Sequence, residues 1–291
     1  VKVLLAVDGS MVAEEAAKLF ARLPHSEPLD LTVVYINNAA SFQGTVVPTE
    51  VAEACRNVEQ KKGEVACSRI LKMFEGANAR IEQVIIEGHP GATLVHEAQQ
   101  RDVDLVVLGA TGHSTLERFM LGSTSDFVAT HANCSVLVVR PTMLQQLEQH
   151  APRLCVAYDD SDSCKRAIED FCKVGWVTPM KIDVIHVVPP PYVYSDIPIQ
   201  IDTSKSRLAA EKMLEHGVAL CKQHGTDVHP HVLEANYTGD GIVQFVKNQQ
   251  SDLVLLGDTG RGLMGRFLLG SVSRYVLRHA LCSVWIGRSK K

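Results

Sequence analysis

Short, nearly continuous apolar runs alternate along the chain with stretches in which apolar positions recur every three or four residues. Residues 1–7, 29–36, 105–108, 135–139, 181–188, 253–256 and 283–287 are rich in valine, isoleucine and leucine, the pattern of strands buried on both faces of a parallel sheet. Between such runs, Ala13, Ala16, Ala17 and Phe20 share one helical face, as do Ile242, Phe245 and Val246. Strand–helix alternation of this kind predicts the α/β class and a doubly wound open parallel sheet. In such sheets ligands bind beyond the carboxyl ends of the strands, where strand order reverses.

The pattern occurs twice. Residues 102–140 (DVDLVVLGATGHSTLERFMLGSTSDFVATHANCSVLVVR) align without a gap on residues 250–288 (QSDLVLLGDTGRGLMGRFLLGSVSRYVLRHALCSVWIGR). Identities in this stretch include Gly109, Thr111, Gly112, Gly122, Ser123, Ser125, His131, Cys134, Ser135 and Arg140. Residues 1–8 and 153–160 repeat more loosely, each an apolar run ending in acid. The chain is therefore read as a duplication: domain 1–142, a proline-bounded polar linker 143–152, and domain 153–291. Free edges on the two last strands would invite pairing.

The chemistry is expected at the strand ends. Gly109-x2-Gly112-x9-Gly122-Ser123 and Gly257-x2-Gly260-x9-Gly270-Ser271 follow the fourth strand of each half. Glycines there suit positive φ and close approach to a ligand. Gly-Ser then opens a helix (residues 123–131 and 271–279) whose free N–H groups and positive dipole end form an anion site. The reading is a cradle for a di- or triphosphate.

The loops and the opening strand ending Val-Asp-Gly-Ser resemble the universal stress protein family in its ATP-binding subgroup, in tandem form. The resemblance spans nearly all of both halves. It implies two adenine nucleotide α-hydrolase-like domains of five strands each and ATP as ligand, with ADP and AMP left open. It also implies that the two last strands pair with each other, Val136 and Val138 meeting Val284 and Ile286, as an intramolecular pseudo-dimer that leaves further homodimerisation open. By position it implies Val7, Asp8, Gly9, Ser10, Ile36, Gly109, Gly112, His113, Gly122, Ser123 and Thr124 as the first binding site. For the second it implies Ala157, Asp159, Ser161, Val187, Gly257, Gly260, Arg261, Gly270, Ser271 and Val272. The halves differ. His113 stands where the second half has the more typical Arg261, and Asp160 replaces the glycine after Asp159. Asp258 lies in the loop where Ala110 is neutral. A carboxylate beside phosphate repels it unless a divalent cation bridges the two, so Asp258 reads either as a Mg²⁺ ligand through the nucleotide or as a mark of a weak site.

Composition narrows the class. The chain has 291 residues and a formal net charge of −4, with no basic block to grip duplex nucleic acid and no polybasic membrane patch. Its apolar runs fall far short of the roughly 20 residues of a membrane span. A strand at the first residues leaves no room for a secretory leader, so the cytoplasm is expected. The eight cysteines, without CxxC spacing, read as reduced buried thiols. Gly260-x-Gly262-x2-Gly265 matches a dinucleotide fingerprint but follows the wrong strand. Walker and GxSxG motifs are absent, and neither loop carries the lysine that fast phosphoryl transfer uses. His229 and His231 face one way on a strand that Pro230 marks as an edge; His131 and His279 read as helix C-terminal caps. The expected protein is an ATP-binding stress-response or regulatory module with slow or no hydrolysis. The alternatives are an interaction scaffold with degenerate sites and a weak ATP-cleaving enzyme.

Overall fold

The structure is a computed structural model and describes residues 1–22, 28–38, 48–111, 121–140, 151–174, 180–190, 204–222, 227–260 and 269–288. The first half contributes β1 (Lys2–Val7), α1 (Met11–Arg22), β2 (Leu29–Asn37), α2 (Thr49–Met73), β3 (Ala79–Glu87), α3 (Pro90–Gln100), β4 (Leu105–Gly109), α4 (Ser123–His131) and β5 (Ser135–Val139). The second contributes β6 (Arg153–Ala157), α5 (Asp162–Lys173), β7 (Lys181–Val188), α6 (Ser204–Lys222), β8 (Asp227–Glu234), α7 (Thr238–Asn248), β9 (Leu253–Gly257), α8 (Ser271–His279) and β10 (Ser283–Gly287).

Among the described residues, ten strands form one sheet in the order β3-β2-β1-β4-β5-β10-β9-β6-β7-β8. Every neighbouring pair is parallel except β5 and β10, which run antiparallel with Val284 opposite Val138 and Ile286 opposite Val136. The expected pairing of last strands is thus the seam that joins two five-stranded domains. Within each half the order reverses between β1 and β4, or β6 and β9, which opens a crevice at their carboxyl ends.

Alternation along the strands builds two apolar layers, and each runs through both halves. Leu137, Val139 and Trp285 lie in the layer beneath α1, α2, α5 and α6. Val136, Val138, Val284 and Ile286 lie in the opposite layer with α3, α4, α7 and α8. The helical faces expected at Ala13, Ala16, Ala17 and Phe20, and at Ile242, Phe245 and Val246, are buried. One aromatic plug has changed strands between the halves. Tyr35 on β2 packs its ring where a Cβ on Gly63 of α2 would come within 2.7 Å of it, and its hydroxyl donates to Glu59. In the second half Tyr158, just after β6, takes the equivalent place against Gly217 of α6 and donates to Asp160.

Polar side chains close the seam with approximate two-fold symmetry. The Arg140 N–H donates to Ser283 Oγ and the Arg288 N–H to Ser135 Oγ, each at 3.1 Å. The Arg140 guanidinium reaches Leu277 O at the end of α8, and that of Arg288 reaches Thr130 O and Ala132 O at the end of α4. Burial lowers both arginine pKa values, yet each cation meets the negative end of a helix. Arg278 forks onto Asp126 across the same seam at 3.1–3.2 Å. Trp285 is wholly buried at the centre, edge-on to Phe171. Trp285→Ala is expected to cost about 3–5 kcal/mol, read as a lower midpoint of denaturant unfolding. A loss under about 1 kcal/mol would place the stabilising contacts elsewhere.

Candidate functional site

Each crevice begins at a strand-to-helix turn. Asp8 Oδ1 accepts the Ser10 N–H at 2.9 Å, and Ser10 Oγ accepts the Ala13 N–H at 3.2 Å, which starts α1. In the second half Asp159 Oδ1 accepts the Ser161 N–H at 3.0 Å, and Ser161 Oγ accepts the Cys164 N–H at 3.2 Å. These bonds equate Asp8 with Asp159 and Ser10 with Ser161, so the loose match of residues 1–8 with 153–160 is one position out of register. Gly9 (φ 81°) and Asp160 (φ 61°) then occupy the same left-handed position. Aspartate tolerates that conformation better than most side chains. Here its carboxylate is further held by the Tyr158 hydroxyl and Lys165 Nζ, both at 2.9 Å.

Gly109, Gly122, Gly257, Gly260 and Gly270 do not take the positive φ expected of loop glycines. Among the described glycines only Gly9 and Gly76 have positive φ. Gly109 is glycine because α1 crosses β4 there: a Cβ would lie 2.8 Å from Val12 Cγ1 and 3.2 Å from the Val12 carbonyl carbon. At Gly257 it would meet Ser163 Oγ at 2.5 Å and the Cys164 backbone nitrogen at 2.9 Å. Close helix packing, rather than an unusual dihedral, excludes a side chain. Both loops close identically, with the Gly122 N–H donating to Ala110 O and the Gly270 N–H to Asp258 O at 2.7 Å. Ser125 and Ser273, in the first turns of α4 and α8, donate to Gly109 O and Gly257 O, also at 2.7 Å. The N-cap residues Gly122 and Gly270 leave both helix starts without a side-chain cap. The first turns of α4 and α8, whose leading N–H groups have no partner within the helix, thus lie on the crevices.

A cavity of about 280 Å³ lies in the first crevice and one of about 360 Å³ in the second. Of the residues singled out in the sequence, Val7, Asp8, Ile36, Gly109, Gly122, Ser123 and Thr124 line the first. Ala157, Asp159, Ser161, Val187, Gly257, Gly260, Gly270, Ser271 and Val272 line the second. Gly9 and Ser10 shape the turn outside the lining, and Gly112, His113 and Arg261 lie outside the described residues. Sequence reasoning missed the apolar walls: Val34, Leu94 and Leu108 in the first cavity, Ile185, Ile242 and Leu256 in the second. Their signal was the strand alternation, which puts Val34 and Ile36, like Ile185 and Val187, on one face.

Asp258 does not line the second cavity. Its Oδ1 accepts the Ser163 hydroxyl at 2.5 Å and the Thr259 hydroxyl at 3.3 Å, and its Oδ2 lies 3.5 Å from Arg288 Nε. The charge expected to oppose phosphate is thus already met by a buried guanidinium.

The remaining candidates have local roles. His131 and His279 donate from Nδ1 to the carbonyls of Phe127 and Tyr275 at 2.8 Å and stack on those rings, which caps α4 and α8. His229 and His231 lie on the edge strand β8 and pair with different carboxylates, Asp227 and Asp183. No group of three metal-ligating side chains occurs among the described residues. All eight cysteines are free thiols. Burial pushes Cys67 up to about 11, and Cys172, Cys221 and Cys282 up to about 12.

Together the fold and its matched crevices define a tandem doubly wound α/β protein with a ligand-sized cleft at the carboxyl ends of the strands in each domain. The Universal stress protein family profile matches residues 1–140 and again 151–288, and the chain belongs to that family. A universal stress protein of Mycobacterium tuberculosis is 27% identical over 297 residues, covering 98% of this chain and 96% of that protein. One from Methanocaldococcus jannaschii is 32% identical over 140 residues, 48% of this chain and 81% of the relative. The crystal structure of a universal stress protein from Archaeoglobus fulgidus superposes with a TM-score of 0.69 at 19% identity, covering 99% of this chain and 98% of that one. That likeness carries the fold. Among the described residues no helix is long and apolar enough to cross a membrane.

Two measurements check the packing around the crevices. Gly257→Ala is expected to push α5 off β9 and cost about 1–3 kcal/mol as an overpacked contact, and a neutral thermal shift would contradict it. Because the thiolate is the reactive form, a pKa near 12 leaves about one thiol in 10⁴ ionised at pH 8. Iodoacetamide at pH 8 should therefore spare Cys172, Cys221 and Cys282 in the native protein and modify them on denaturation. Native labelling as fast as a free thiol would count against the burial of Cys221 and Cys282 and the raised pKa of half-buried Cys172.

Proposed function

We propose that the protein is an adenine-nucleotide-binding regulatory module of the stress response, with ATP as ligand, one site per domain, and slow or no hydrolysis. One observation carries this reading: in each half a carboxylate and an uncapped helix amino end lie on the same cavity. Asp8 and Gly122–Ser123 do so in the first, Asp159 and Gly270–Ser271 in the second. A carboxylate suits the amino edge of a base, apolar walls suit its faces, and a helix start suits phosphate. The cavities are also of the right order for a small molecule, whose clefts begin at about 300 Å³. Added side chains would narrow this space, since a Cβ on Gly260 would come within 3.2 Å of Asp159 Oδ2 and one on Gly270 within 3.2 Å of Asp258 O. ADP and AMP share the base and the first phosphate and are bound by the same groups. Mg²⁺ would travel with the phosphates and need no protein carboxylate, because Asp258 is engaged with Ser163 and Arg288.

Apart from Asp258, the site residues are proposed as assigned by sequence, with domains 1–142 and 153–291, a linker at 143–152, and a cytoplasmic location. Neither loop sequence contains a lysine, which supports a binding role over rapid phosphoryl transfer. The scaffold reading rested on Asp160 and Asp258 as marks of decay in the second half. Both have well-made partners, Tyr158 and Lys165 for the first and Ser163 and Arg288 for the second, which favours a working second site.

Calorimetric titration tests this directly. Ser123→Asp and Ser271→Asp each put a carboxylate in a first helical turn, which the helix dipole favours by about 0.3–1 kcal/mol, so folding is preserved. Each substitution should weaken ATP at its own site by at least about tenfold through charge repulsion while changing adenosine affinity less than about twofold. Equal weakening of ATP and adenosine, or no ATP binding by the unsubstituted protein, would overturn the proposal.

A further inference from the structure

The described ends of the two phosphate loops share the same backbone hydrogen bonds but differ in a side-chain link, and that link points from one site to the other. Asp258 is the root of the second loop: its N–H donates to Gly287 O at 3.1 Å and its carbonyl accepts the Gly270 N–H at 2.7 Å. Ala110 roots the first loop through the same two bonds, to Val139 O and from Gly122, at 2.8 and 2.7 Å. Only Asp258 adds a carboxylate, and its Oδ2 lies 3.5 Å from Arg288 Nε. Arg288 is 7% exposed in its side chain and lies across the seam, where its other nitrogens donate to Thr130 O and Ala132 O. Those carbonyls belong to the carboxyl end of α4, and the amino end of α4 lines the first cavity. The mirror path stops short. Arg140 reaches Leu277 O at the end of α8, but the residue rooting its own loop is Ala110, which has no carboxylate.

We propose that Asp258 and Arg288 couple the two sites, so that filling the second raises the affinity of the first for a polyphosphate nucleotide. The inference rests on the two-site reading above and specifies its regulation. The next residues, Thr259 and Gly260, line the second cavity, as does Gly270, the partner of the Asp258 carbonyl. A ligand seated there fixes Asp258 from both sides. The fixed carboxylate orients the buried guanidinium, which has no solvent to relax into, and the guanidinium holds the last turn of α4. A nine-residue helix carries that constraint as a rigid rod over about 13 Å to its amino end. The wiring runs one way in structure, but the coupling it produces must be reciprocal: nucleotide at the first site tightens the second by the same factor. Ordering that the first ligand has already imposed need not be imposed again, which gives the coupling its positive sign.

The test is a set of ATP titrations on the full chain, run with and without Asp258→Asn, an isosteric change that removes the charge. The coupling factor is the product of the two association constants with both sites intact, divided by the product of those from the single-site variants Ser271→Asp and Ser123→Asp. In the unsubstituted chain the expected factor is about five or more, the lower range of known couplings. In the Asp258→Asn background it should fall to near one. Arg288→Lys, which keeps the charge but loses the fork onto Thr130 and Ala132, should lower the factor likewise. Hydrogen exchange of the ligand-free protein gives an independent readout: Asp258→Asn should speed exchange at residues 128–132 of the first half. Two ATP bound with a factor near one in the unsubstituted chain, or a factor and exchange unchanged by Asp258→Asn, would overturn the coupling and leave the two-site function standing. No ATP bound at either site would overturn both.

Discussion

The antiparallel contact of β5 with β10 is the constraint on which the rest depends. Each domain alone would expose a strand of unpaired N–H and C=O groups beside an apolar face, an edge prone to association. Fusing two copies allows that edge to be satisfied within one chain. The result is a continuous sheet whose two apolar layers pass through the seam without interruption, with Trp285 filling the middle of one of them. Burying Arg140 and Arg288 at the same place would be costly for isolated cations. Each instead meets backbone acceptors supplied by the opposite domain, so the cost of burial enforces correct docking.

Strand direction within each half sets where its crevice lies. Because the strands within each half are parallel, their carboxyl ends share one edge, and the break in order beside β1 and β6 opens a cleft there. Tight packing at Gly109 and Gly257 brings α1 and α5 against the strand ends, and the uncapped starts of α4 and α8 complete each cleft. Duplication then let details drift without disturbing this frame. A tyrosine fills the same space from β2 in one half and from beyond β6 in the other, matched each time by a glycine on the long helix. The left-handed turn position is glycine in one half and a braced aspartate in the other.

Much of this was legible from residues alone. The gapless repeat and the bounds of α4 and α8 follow from local periodicity and from motifs with fixed spacing, while the last-strand pairing came from the family resemblance and the free edges. What escaped depends on contacts distant in sequence. The role of Gly109 is set by Val12 and that of Gly257 by Ser163, so a local reading assigned them a backbone conformation they do not adopt. The charge on Asp258 seemed exposed to phosphate because its partners, Ser163 and Arg288, lie 95 and 30 residues away. The one-residue slip between residues 1–8 and 153–160 arose because two adjacent acids, Asp159 and Asp160, offered equally good matches to Asp8. Hydrogen bonds from Ser10 and Ser161 decide between them.

The central claim is that both domains carry a nucleotide site. Native mass spectrometry of the intact chain, equilibrated with ATP and then desalted, counts ligands on single molecules without requiring a reaction. Two added adenine-nucleotide masses per chain, in steps that are lost one at a time on activation, are the result this account predicts. A spectrum showing only the bare chain at ATP concentrations in the millimolar range would contradict it.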